Sequence, residues 1–170
     1  MSANILDGKA IAKEILDEVS SKVSELKTSD WDPKLISIKV GENPAVDLYI
    51  RNQRLKAEKI GIIFEEKEDP NDISANELQA AIANFNVDPK VTGIFLQRPV
   101  PKSISIKTLQ KAIHPLKDVE GMHPASIGNI VYNEMELGPC TANGFSRTVE
   151  TYRSGFKRFG GCGDWALKNC

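Results

Sequence analysis

Three short strand-like runs, each separated from the next by a stretch with helical character, leave this chain few folds to choose from. The first, Lys34-Leu-Ile-Ser-Ile-Lys-Val40, alternates as a strand does. The second is Ile62-Ile-Phe-Glu-Glu66, and the third, Val91-Thr-Gly-Ile-Phe-Leu-Gln97, is the short apolar run typical of a buried parallel strand. Ahead of the first run, Ile11, Ile15, Val19 and Val23 recur at helical spacing, with Lys13, Glu14, Asp17 and Glu18 on the wet side. After it, Pro44 suits the opening of a helix predicted over 45–59, which Gly61 stops. Beyond the Asp69-Pro-Asn-Asp turn, Ser74 and Glu77 form a capping box for a helix reaching about Phe85, and a further helix is predicted over 106–113.

This alternation predicts an α/β fold, a three-layer helix-sheet-helix sandwich around a mainly parallel sheet. In such sheets the ligand crevice lies beyond the carboxyl ends of the strands. The turn leading into Tyr49, the loop after Gln97 and the loop 117–124 all fall there.

A chain of 170 residues holds one domain with a real core, or one domain and a tail. Its net charge of −1 gives no steering toward nucleic acid or an anionic membrane, and its longest apolar runs are far too short to span a bilayer. The first residues resemble neither a signal peptide nor a presequence, so a cytoplasmic enzyme is expected. Cys140, Cys162 and Cys170 match no zinc spacing, and their odd number argues for unpaired thiols; no metal site is expected. From Ala142 the character changes: residues 145–154 show no clear period, and Gly160-Gly-Cys-Gly-Asp-Trp165 suits neither helix nor strand.

Four landmarks occur in order. They are Pro44-Ala-Val-Asp-Leu-Tyr-Ile-Arg-Asn-Gln-Arg-Leu-Lys-Ala-Glu-Lys-Ile-Gly-Ile62, Gly93-Ile-Phe-Leu-Gln-Arg-Pro-Val-Pro101, Lys117-Asp-Val-Glu-Gly-Met-His-Pro124 and Pro139-Cys-Thr141. Together they resemble the catalytic domain of the tetrahydrofolate dehydrogenase/cyclohydrolase family. The resemblance implies one-carbon folate metabolism: oxidation of 5,10-methylenetetrahydrofolate with NADP or NAD, then hydrolysis of the methenyl cation to 10-formyltetrahydrofolate. It also implies a folate cleft between this domain and a C-terminal Rossmann domain through which family members usually form homodimers.

Carried over position by position, the resemblance makes Tyr49 the tyrosine that flanks the pterin and presents a hydroxyl. Gln53 stands where the family has a lysine, one turn along the same helix face. A carboxamide hydrogen-bonds but does not titrate, so the hydrolytic step is expected to be impaired or absent. Lys56, a further turn on, is the candidate substitute. Gln97 matches the family glutamine at the end of the third strand; Arg98 follows it where leucine is usual, then Pro99 on the substrate side. Glu120 replaces an aspartate that meets the donor edge of the pterin, next to Gly121, while Asp118 reads as structural and Val46 stands where serine is usual. Thr141 falls on the cofactor side. His123 and His114 read as loop anchors rather than general bases.

On the same resemblance, residues 1–141 form the folate-binding domain and 142–170 are an aberrant tail in place of the linker and NAD(P)-binding domain. Reading each codon one base later turns Trp165 into Gly by necessity, Asp164 into Ile or Thr, and Cys162 into Ala or Val. Family-like choices then give Val-Val-Ile-Gly-Arg-Ser for 162–167, which is similar to the first Rossmann strand and its phosphate turn, so the tail is expected to be a frameshifted or mis-spliced translation. No Gly-x-Gly-x-x-Gly follows a strand. Such a chain is expected to be monomeric or poorly folded, and to lack dehydrogenase activity alone. The competing class is a non-catalytic module that binds folate or a partner.

Overall fold

The computed structural model describes residues 7–135 and 137–152. The Asp7 carboxylate opens helix α1 (Gly8–Lys27) by accepting from the Lys9 and Ala10 amides at 2.9 and 3.3 Å, donors the helix itself leaves without partners. Ile11 and Val23 of the predicted stripe are buried, with Ile15 and Val19 half-buried between them. Strand β1 (Lys34–Val40) follows, then α2 (Pro44–Lys59), capped by Asn43 and with Pro44 in its first turn. Gly61 ends α2 at φ +84°, a left-handed conformation that glycine adopts without steric cost.

Strand β2 (Ile63–Asp69) runs three residues past the predicted end at Glu66. Its charged stretch Glu65-Glu-Lys-Glu-Asp69 looks like loop, yet β2 lies at a sheet edge, where charge is tolerated, and every residue has a partner on β1. The capping box is present at the start of α3 (Ala75–Val87): the Glu77 amide donates to Ser74 Oγ, and the Glu77 carboxylate accepts from the Ser74 amide. Strand β3 (Gly93–Leu96) and α4 (Ile106–Ala112) complete the predicted alternation. A 3₁₀ turn over Pro115–Lys117 and α5 (Pro124–Val131) come next.

The last helix, α6 (Cys140–Tyr152), corrects the expectation of an aperiodic segment after Ala142. Gly144, Thr148, Val149 and Thr151 are weak helix formers, but tertiary contact overrides their propensity. The Asp7 amide donates to the Tyr152 hydroxyl at 3.0 Å, and Arg147 lies 3.8 Å from Glu18 of α1. The helix passes from residue 141 to 142 without a break. The Gly-rich segment, Cys162, Cys170 and the codon-shift reading of 162–170 lie outside the described residues.

The three strands pair in the order β2-β1-β3, all parallel. On one face Ile36, Ile38, Val40, Ile94 and Leu96 pack with Leu78 and Ile82 of α3 and Leu109 of α4. Each such side chain stabilises the fold by about 1.5–3 kcal/mol. The other face turns Ser37 and Lys39 of β1 toward α2, and Lys39 pairs with Asp47 of α2 at 2.5 Å and Glu68 of β2 at 2.8 Å. Helices therefore cover both faces, as the alternation predicts. No described helix is long and apolar enough to cross a membrane, and no described group of three or more His, Cys, Asp or Glu side chains is arranged to hold a metal.

Candidate functional site

Gln97 is the first residue past β3. Its backbone N–H donates to the Ile38 carbonyl at 2.8 Å, which ties the end of β3 to β1. The side chain, 3% exposed, therefore has a fixed origin. Its Nε2 donates to Ser37 Oγ at 2.9 Å and to Gln53 Oε1 at 2.7 Å, so both amide protons are committed and one side chain joins β1, β3 and α2. Ser37 is fully buried and reaches this position because alternation puts it on the α2 face, between Leu35 and Lys39.

Tyr49 sits one turn nearer the start of α2 than Gln53. It is 53% exposed, and its ring centroid lies 6.3 Å from that of Phe95 at 49°. The two aromatics form an apolar wall with a polar tip. Together with Gln97, Arg98, Pro99 and Glu120 they line a cleft of about 460 Å³. Val46, Ala45 and Asn43 close its rim. That volume suits a small organic ligand, whose sites run from about 300 to 1,000 Å³.

Glu120 stands on a loop held by Asp118. The buried Asp118 carboxylate accepts from the Glu120 amide at 3.2 Å and from the His123 amide at 2.6 Å, and Asp118 bridges to Ile94 beside the sheet. Asp118 is thus structural, and it aims its neighbour. Arg98 donates to Glu120 Oε1 at 3.2 Å. Burial pushes the Glu120 carboxyl above the usual carboxylate range; Arg98 pulls it back, and Asp118 adds to the rise. The Cys140 thiol, donating to the Val119 carbonyl at 3.4 Å, is pushed up by burial and by the nearby Glu120 charge.

Tyr49, Gln97, Pro99 and Glu120 line one cleft, and Gln53 joins it through its bond to Gln97. Lys56, Gly121 and Thr141 do not line it. α2 runs away from the carboxyl edge of the sheet, so Lys56 lies about 10 Å along the axis from Tyr49 and is exposed to solvent. Gly121 is buried at φ +64°, and a Cβ there would fall 2.4 Å from the Gly138 carbonyl carbon, so close backbone packing explains this glycine. Thr141 is exposed on α6. His114 and His123 are helix caps: each accepts through Nδ1, from the Leu116 amide at 3.2 Å and the Ala125 amide at 3.0 Å.

Two residues escaped the sequence reading. Phe95 and Ser37 face the cleft side of the sheet, and strict period-two counting from Gln97 and Lys39 would have found them. Lys39 is no spare base on this face, because the hydrogen bonds it donates to the Asp47 and Glu68 carboxylates hold its ammonium well above the usual lysine range. Among the described residues nothing fits a dinucleotide diphosphate: the β1–α2 turn is Gly41-Glu-Asn-Pro44, and no strand opens a helix through a glycine-rich turn.

A profile of the tetrahydrofolate dehydrogenase/cyclohydrolase catalytic domain matches residues 6–120. Bifunctional protein FolD 2 of Mesorhizobium japonicum is 58% identical over 137 residues, which are 81% of this chain and 45% of that protein. Bifunctional protein FolD 3 of Roseobacter denitrificans is 49% identical over 138 residues, 81% of this chain and 47% of that one. Among solved structures, the bifunctional FolD methylenetetrahydrofolate dehydrogenase/cyclohydrolase of Campylobacter jejuni superposes with a TM-score of 0.86 at 33% identity, over 89% of this chain and 54% of that chain. The chain spans about half the length of the curated relatives it matches.

Proposed function

This chain belongs to the tetrahydrofolate dehydrogenase/cyclohydrolase family, and from that premise we propose that its cleft binds reduced folate for one-carbon interconversion, with the hydrolytic step disabled. The observation that carries the reading is the Gln97 amide, bonded at once to Ser37 and Gln53 beneath Tyr49 and facing Glu120. Tyr49 and Phe95 take the face of the pterin. Glu120, nearly buried, takes its amino and ring N–H edge through two parallel hydrogen bonds. Gln53 completes the floor but neither gives nor receives a proton at neutral pH. Lys56 lies too far along α2 to replace a base, since catalysis is lost to displacements on the order of 1 Å.

Oxidation needs the nicotinamide of NADP or NAD against the folate. The second reading, a folate-binding module without chemistry, is favoured by the same Gln53. We assign 1–141 to the folate-binding domain and 142–170 to an out-of-frame replacement of the linker and cofactor domain, a reading that rests on the family-like string 162–167 give when each codon is read one base later. Transcript sequence across codon 141 checks that assignment: a shifted frame beyond codon 141 that encodes no Rossmann strand removes it. On this reading the chain is a cytoplasmic monomer that needs no nucleic acid.

Equilibrium titration of tetrahydrofolate into the full chain is the test. One saturable site is expected, and Glu120→Ala should weaken it by about 10-fold to 100-fold, the loss of hydrogen bonds to a charged group. Absence of saturable binding retires the reading.

A further inference from the structure

We propose that Arg98 is a positioning residue for this cleft: its guanidinium holds the Glu120 side chain charged and aimed into the open site, then yields it to the donor edge of the bound pterin. The inference rests on the folate reading above and adds a residue the family pattern does not supply, since leucine is usual at this position.

The pair is built to exchange partners. Arg98 makes one contact to Glu120 Oε1, at 3.2 Å, and does not engage Oε2. Exposure is unequal, 53% for the Arg98 side chain against 12% for that of Glu120. A displaced guanidinium therefore returns to water at little cost, whereas Glu120 must find new donors. The backbone around Arg98 is fixed by the Gln97 N–H bond to Ile38 on one side and by Pro99 on the other, so the side chain swings and the loop stays.

Glu120 is faced by Arg98 from the end of β3, by Asp118 on its own loop, by the Cys140 thiol of α6, and by Tyr49 across the cleft. Burial and Asp118 favour the protonated acid, whereas Arg98 and the Leu96 backbone favour the carboxylate. Removing Arg98 thus has two opposed consequences: competition for the carboxylate ends, and the acid keeps its proton to higher pH. A ligand that donates hydrogen bonds binds the ionised form, so affinity is lost as pH falls through the Glu120 pKa of the unliganded chain. Without Arg98 that loss begins at higher pH.

The test titrates tetrahydrofolate calorimetrically into the full parent chain, Arg98→Leu and Arg98→Lys, at about pH 8 and about pH 5.5. At the higher pH, Arg98→Leu should bind up to about fivefold tighter than the parent, the most that releasing a half-exposed pair yields. At the lower pH it should bind more weakly than the parent, and Arg98→Lys should keep the parent profile. A Kd ratio of Leu variant to parent that is the same at both pH values overturns the role. Carboxyl NMR of Glu120 in the ligand-free chain supplies a folate-independent arm: the Leu variant should titrate at higher pH, and an unmoved titration also overturns it. If that shift is present but no variant binds tetrahydrofolate, the folate reading falls and takes the ligand-yielding half of the proposal with it.

Discussion

Replacing Gln53 by lysine tests the wiring of the cleft and its chemistry together. In the parent, Gln97 donates one amide proton to Gln53 Oε1 at 2.7 Å and the other to Ser37 Oγ at 2.9 Å. An ammonium has only donors, so Gln53→Lys sets donor against donor unless the Gln97 amide turns over. Turned over, its oxygen accepts from the new ammonium and from the Ser37 hydroxyl, which reverses its own role. Both bonds survive with inverted polarity, and stability in urea is expected within about 1 kcal/mol of the parent. Gln53→Leu has no polar atom to offer and should cost about 1–2 kcal/mol, because Gln97 loses a partner in a largely buried site. On the proposed folate reading, the ammonium also supplies a group that can exchange a proton with water attacking a bound methenyl cation. General acid–base catalysis of this kind contributes about 100-fold to 10,000-fold. Loss of methenyl absorbance, followed with purified methenyltetrahydrofolate and no nicotinamide, measures that gain over the parent chain. A Gln53→Lys chain that is as stable as the parent, binds tetrahydrofolate as tightly and yet hydrolyses no faster would refute the assignment of position 53.

Three further outcomes follow from the same geometry. Gln97→Leu leaves the fully buried Ser37 hydroxyl and Gln53 without their shared donor, and should cost about 2–4 kcal/mol in urea denaturation; a loss no greater than that of Gln53→Leu would mean the amide is not the hub. Gly121→Ala places a methyl group against the Gly138 backbone at a positive φ and should destabilise by about 2–4 kcal/mol, whereas a Tm equal to the parent's would contradict the close approach. The Lys39 pKa is raised on folding, so its ion pairs stabilise fully below its unfolded value, about pH 10.4, and fade above it. Glu68, whose pKa is lowered by Lys39, loses its contribution as pH falls below about 4.5. Thermal melts across pH should show a plateau between those limits, and Lys39→Met should flatten both shoulders.

Most of the frame was legible in the sequence because periodicity and caps are local. Asn43-Pro44, Gly61 and the Ser74–Glu77 box each act within a few residues, and the helices they bound lie within two residues of their predicted ends. The charged end of β2 was not legible, because its pairing with β1 is decided by a partner nearly thirty positions away. Nor was α6, whose poor helix formers are held by Asp7 and Glu18 at the other end of the chain. The cleft divides in the same way. Tyr49 and Gln53 share a helix face by simple spacing, and Gln97 ends a readable strand. That Ser37 completes the amide hub, that Arg98 turns toward Glu120, and that Lys56 lies exposed off the crevice depend on how segments far apart in the chain come together.

The central claim is that Tyr49, Gln53, Gln97 and Glu120 surround one reduced pterin. Backbone and side-chain amide NMR of the full chain, recorded as tetrahydrofolate is added, tests it most directly. Saturable shifts should centre on Gln97, Gln53, Phe95 and Glu120 and spare Lys56 and Thr141. Shifts that saturate elsewhere while the Gln97 side-chain amide stays still would contradict it.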